Sequence, residues 1–167
     1  MREHHYRARL SWNGNLGPGT TSYERYDREF SVGIERKPEL LGSAAAVFRG
    51  NATRHDPEDW LLAALAGCHM LAYLALCARR GVIVVAYEDD ASGTLTLDGR
   101  GGGRFTSAIL RPTVTIADPS QGSLARAQHE EAHERCFIAS SVAFPVTVDA
   151  TIRVASPAGE TSAGVLA

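Results

Sequence analysis

The sequence predicts an α+β protein. Two segments space their apolar residues as amphipathic helices do, and several short segments alternate or run rich in β-branched residues. Their order along the chain is strands, helix, hairpin, helix, strand. A wound parallel sheet would alternate strand and helix instead, so the order points to segregated helices and strands.

Each element has a local reason. Tyr6–Trp12 alternates Tyr6, Ala8 and Leu10 with Arg7, Arg9 and Ser11, which predicts a strand. Asn13 to Gly19 carries three glycines and a proline and reads as a turn. Tyr23–Ile34, punctuated by Tyr26, Phe30 and Val32, predicts a second strand, and Gly42–His55 an irregular crossing. The first helix starts at Asp56, a good N-cap, with Pro57 at the first helical position and Glu58 and Asp59 against the positive end of the dipole. Leu61, Leu62, Leu65, Cys68, Ala72 and Leu76 recur on one face, and Gly81 ends the helix after Arg79 and Arg80. Val82–Tyr87 and Ser92–Leu97 read as one long bent strand returning through Phe105–Ile116. The second helix is expected over about Gln121 to Cys136, Phe144–Val154 as a closing strand, and a frayed tail from Ser156.

The 167 residues suffice for a single domain, with a core expected over about residues 6–154. A formal charge of -2 offers no basic field to attract nucleic acid. The N-terminus, Met1-Arg2-Glu3-His4-His5-Tyr6, has no apolar signal region. His69, Arg79 and Arg80 interrupt the longest apolar run, so no membrane span is expected and the protein is expected to be cytoplasmic. Three cysteines in a reducing compartment argue for transient, catalytic disulfide chemistry over a structural framework.

Cys68 follows Gly67 on the apolar face of the first helix, and Cys77 lies nine positions on, half a turn around. Those two cannot pair within one helix, and Cys77 reads as core. Cys136, near the negative end of the second helix, is the poorer nucleophile and the better candidate for a resolving thiol. His69 does not face Cys68, since adjacent helical positions diverge. His129, His133 and Cys136 share a face at i, i+4 and i+7, which is also a possible metal-ligand spacing. Arg49 and Glu58 form a candidate charged pair that would stabilise a Cys68 thiolate, with Arg28, Arg36 and Arg54 competing for the arginine's role. Glu58 and Cys68 are separated by roughly 15 Å along an unbroken helix. They can share a site only if the helix breaks or two chains pair about a two-fold axis.

The chain resembles the OsmC/Ohr family of osmotically inducible and organic-hydroperoxide-resistance proteins. The resemblance rests on Asp56-Pro57-Glu58-Asp59 before a Leu/Ala-rich helix, on Ala66-Gly67-Cys68, on Cys136 late in the second helix, and on the strand order, over roughly Tyr6 to Val154. Two departures stand out: the family usually has Asn-Pro-Glu-Glu at the helix start, and proline where this chain has Phe137. The resemblance implies antiparallel sheets wrapped around two central helices in an intertwined homodimer with active sites between subunits. It also implies thiol-dependent peroxide reduction without metal, haem or other cofactor. Carried onto this chain, it makes Cys68 the peroxidatic thiol, Cys136 the resolving thiol, Glu58 the helix-start glutamate and Arg49 the activating arginine. An external dithiol reductant would restore the disulfide, and Phe48, Trp60, Leu61 and Leu65 would form an apolar wall favouring organic hydroperoxides. The alternative is a non-catalytic dimeric protein binding a small molecule, or a metal through His129, His133 and Cys136. Acyl or sulfur transfer through the thiols is a third reading.

Overall fold

The computed structural model describes residues 2–156. The chain divides into two compact units, Met1–Leu61 and Leu62–Ala167. The frayed tail expected beyond Ser156 lies outside the described residues.

The first unit holds an antiparallel sheet of β1 (Arg9–Trp12), β2 (Phe30–Gly33) and β3 (Leu40–Gly42), with β2 central. Register pairs Leu10 with Val32, Trp12 with Phe30, and Phe30 with Gly42. Both expected strands are shorter than their alternation suggested. The second begins only at Phe30, because the chain before it folds back on itself. The Arg28 guanidinium donates to the carbonyls of Tyr23 and Tyr26 and lies 4.3 and 4.2 Å from their ring centres. Those contacts hold a compact loop where an extended segment was expected. β3 ends at Gly42, where the irregular crossing was expected to begin. Glycine suits that position: a Cβ there would meet the Phe30 and Trp60 rings at 2.6 Å, and those rings pack edge to face at 5.5 Å.

Helix α1 (Pro57–Arg79) has the ends the sequence predicts. Asp56 Oδ1 accepts from the Asp59 amide at 2.9 Å, and Asp59 Oδ2 returns the bond to the Asp56 amide at 3.4 Å, a reciprocal N-terminal cap. At the other end Gly81 takes φ +75°, the Val82 amide reaches back to the Cys77 carbonyl at 2.9 Å, and the Gly81 amide reaches Ala78 at 3.3 Å. That is a Schellman closure, and it requires glycine at the left-handed position. The expectation that no apolar run reaches the length of a membrane span is corrected here. α1 has 23 residues and an 18-residue stretch of mean hydropathy 2.0, enough by length and composition to cross a bilayer. His69 does not interrupt it as a solvent-facing polar residue would, because His69 is fully buried. Leu65, His69, Tyr73, Leu76 and Cys77 make the buried face of α1.

In the second unit α1 is followed by β4 (Val84–Asp89), β5 (Ser92–Leu97), β6 (Gly103–Leu110), β7 (Pro112–Ile116), α2 (Gly122–Glu134), β8 (Val146–Val148) and β9 (Thr151–Val154). The long hairpin is bent in both arms and feeds two sheets, of order β4-β7-β9 and β5-β6-β8. The bend has a polar hinge: the Arg111 amide donates to Asp89 Oδ1 at 2.7 Å, and its guanidinium donates to Ser92 Oγ at 2.8 Å. The closing segment divides likewise, with β8 parallel to β6 and β9 parallel to β7, whereas the hairpin pairs are antiparallel. The α+β class stands, with these two parallel pairings added to the expected antiparallel ones. The core packs Tyr73, Leu76 and Cys77 of α1 against Val114 and Ile116 of β7 and Ala125 and Ala132 of α2.

Candidate functional site

Cys68 lies at the midpoint of α1 and is half-buried. Its helix carries an exposed stripe of small and apolar residues, Ala64, Leu71, Ala75 and Ala78, at steps of three, four and seven. Cys136 was expected inside the second helix but lies two residues beyond it. α2 ends at Glu134, and the chain then turns through a 3-10 segment, Ala139–Ser141. That turn buries Cys136 completely and brings its thiol beside that of Cys68. The Ala139 amide donates to the Cys136 sulfur at 3.5 Å. Burial pushes the Cys136 thiol up from its ordinary range, and the neighbouring Cys68 adds to the rise.

A cavity of 690 Å³ opens beside the pair. Cys68, Leu71, Ala75 and Phe137 line its apolar part, and Arg79 and Arg135 its polar end. Phe137, in place of the family's proline, is largely exposed on this wall. Cys77 is buried as expected, and burial raises its thiol pKa beside Tyr73.

In the first unit Glu58 lines a second cavity, of 320 Å³, together with Trp12, Tyr26, Arg28, Phe30 and Phe48. Arg49 is exposed, adopts φ +65° after the Ala46–Phe48 turn, and does not line that cavity. Among the described residues no ion pair joins Arg49 to Glu58; Arg49 and Arg28 both help hold the Glu24 carboxyl below its usual range, after hydrogen bonds from the backbone and Ser22. Of the four residues expected to wall a substrate site, Phe48 lines this cavity. Trp60 packs on Phe30, Leu61 lines neither cavity, and Leu65 is buried in the core.

The histidines are arranged unlike the expected solvated or metal-binding face. His129 is buried, and its Nδ1 sits 3.1 Å from His69 Nε2 across the α1–α2 contact. The two rings are nearly parallel, and His129 also stacks on Tyr73 at 3.9 Å. No group of three or more His, Cys, Asp or Glu residues among the described ones is placed to hold a metal. This pair was not foreseen. Its signal was legible, since His69 falls between Leu65 and Tyr73, and His129 between Ala125 and Ala132, at helical steps of three and four.

The matching family model is that of OsmC-like proteins, over residues 50–151. The chain belongs to the OsmC-like family. Among solved structures, an OsmC-like protein of unknown function from Vibrio cholerae is 29% identical, with a TM-score of 0.79 over 89% of this chain and 99% of its own. An organic hydroperoxide resistance protein from Elizabethkingia anophelis superposes with a TM-score of 0.66 at 13% identity, covering 92% and 99% of the two chains. One from Legionella pneumophila gives 0.63 at 14% identity, covering 92% and 100%. Comparison with curated proteins returns no match.

The histidine pair makes stability pH-dependent with a definite sign. Burial holds His69 down at about 4 and His129 at about 3, against 6.5 for a free imidazole. The unfolded chain takes up these protons first, so stability is full above pH 6.5 and falls as the pH drops toward 4 and then 3. The expected loss is on the order of 3 kcal/mol for His69 alone, measured by urea unfolding across that range. Replacing both histidines by leucine should flatten the profile.

Proposed function

We propose that the protein is a thiol-dependent peroxidase acting on organic hydroperoxides. The observation that carries this reading is that the thiols of Cys68 and Cys136 are neighbours, with Cys68 on the wall of a cavity. The Cys68 thiolate attacks the terminal peroxide oxygen, the O–O bond breaks, and an alcohol leaves while Cys68 becomes a sulfenic acid. Cys136 then attacks the Cys68 sulfur, a disulfide forms, and water leaves. An external dithiol returns both thiols. The raised pKa of Cys136 keeps it protonated and out of competition for peroxide in the first step.

The activating cation in this reading is Arg28, not Arg49. Arg28 shares a cavity with Glu58, and its side chain is held by two tyrosines and two carbonyls. Glu58 and Cys68 sit roughly 15 Å apart on a helix that runs unbroken, so in this reading they share a site only between two copies of the chain. A homodimer is supported by α1 itself, whose apolar stretch is only 28% buried within one chain. Beside Gly67 nothing stands within 4 Å of a Cβ position, which leaves room for a second helix. A reducing compartment suits the dithiol step. The metal-binding alternative is not favoured by the placement of His129 or Cys136.

Cys68→Ser should abolish consumption of cumene hydroperoxide with a dithiol reductant; undiminished turnover would sink the proposal. Cys136→Ser should release one equivalent of alcohol and stop, leaving a sulfenic acid trapped by dimedone. Arg28→Ala should lower kcat/KM by about 10²-fold, while Arg49→Ala stays within about twofold, as steady-state assays would show. Ala64→Glu, on the exposed stripe of α1, should convert dimer to monomer by analytical ultracentrifugation and lose activity with it.

A further inference from the structure

The peroxidase reading makes no use of the buried imidazoles, yet these groups sit at the joint between the two thiol-bearing segments. His69 is the residue after Cys68 on α1, and His129 lies on α2, whose exit turn carries Cys136. Two polar contacts cross from α1 to α2. His69 Nε2 meets His129 Nδ1 at 3.1 Å, and the Tyr73 hydroxyl donates to the Ala125 carbonyl at 3.1 Å. One contact steps forward four residues on α1 as the other steps back four on α2, so both belong to one antiparallel register. The His129 ring, stacked on Tyr73 at 3.9 Å, joins the two contacts into a single unit.

The pair is costly. Two neutral imidazoles joined by one hydrogen bond leave an N–H and a lone pair at the far ends, and His69 Nδ1 and His129 Nε2 are both buried without a partner. Leucines of similar volume would fill this space without that penalty. A costly polar contact in an apolar seam has a clear physical use: it fixes one register where apolar side chains tolerate several. Disulfide closure is sensitive to such register, since the two Cα atoms must come within about 7 Å with a defined torsion. A slide of α1 by one residue shifts Cys68 by about 1.5 Å.

We propose that His69 and His129 are positioning residues for the resolving step: their hydrogen bond locks α1 against α2 in the register that lets Cys136 reach Cys68. The proposal rests on the Cys68–Cys136 pairing of the peroxidase reading, but its test does not require peroxidase activity. Diamide drives closure of the pair without peroxide, and quenched-flow alkylation followed by mass spectrometry reads the rate. In the His69→Leu/His129→Leu variant, closure should slow by about tenfold or more while urea stability at pH 7 is equal to or above that of the parent. The rate of Cys68 sulfenic acid formation, read with dimedone in a Cys136→Ser background, should stay within about twofold. His129→Gln, which keeps a polar group toward His69, should recover part of the closure rate and serves if the double variant does not fold. Closure within about twofold of the parent in the folded double variant, or in His129→Ala if only single variants fold, overturns the proposal. Failure of the parent to form a Cys68 sulfenic acid, with closure by diamide intact, counts against the peroxidase reading and leaves the register lock standing.

Discussion

The governing constraint is the unbroken backbone of α1. Within a continuous helix of 23 residues, Glu58 and Cys68 are held apart by a fixed rise. Every side chain proposed for chemistry is placed relative to that rod. The carboxylate is presented from its first turn, the nucleophile from its middle, and the Schellman closure at Gly81 sends the chain into the strands that cover its buried face. No proline interrupts the helix between residues 58 and 68, where aspartate and tryptophan are followed by leucine, alanine and glycine. The exposed small-residue stripe and the rigid rod both favour the proposed pairing of two copies.

Much of this was legible in the residues. The Asp56-Pro57-Glu58-Asp59 start, the apolar repeat and Gly81 mark α1 almost to the residue, because caps and turns are local chemistry. The same locality explains why Cys77 could be assigned to the core from its rotation about the helix. What escaped was whatever depends on distant partners. The Tyr23–Arg28 loop looked like a strand because its alternation is real, but a guanidinium stacked on two rings outweighs a propensity of about 1 kcal/mol. β3 was hidden because its glycine is explained only by the Phe30 and Trp60 rings above it.

The site shows the same division. The two chemically distinctive cysteines were identifiable because few residue types can be oxidised and rescued. Their pairing was expected, but the element carrying Cys136 was not: it lies in the turn after α2, outside the helix that its spacing had assigned it to. The choice among arginines was open in the sequence for a related reason. Arg49 is nearer to Glu58 in number, but a left-handed backbone after a 3-10 turn sets it apart from the cavity, and Arg28 reaches that cavity from the preceding strand's approach. Histidine misled in the opposite direction: a helical i, i+4 spacing suggested ligands, while burial shows His129 spent on a neighbour.

The sealed position of Cys77 has a bearing on fidelity. Three sulfurs on one chain permit three intramolecular crosslinks, and two of those would block the one proposed for turnover. Cys77 is enclosed among Tyr73, Val82 and Ile116, half a helical turn away from Cys68, so the sulfur that stands beside Cys68 is that of Cys136 and not the spare one. An odd cysteine count need not scramble a crosslink when geometry decides which sulfurs are neighbours.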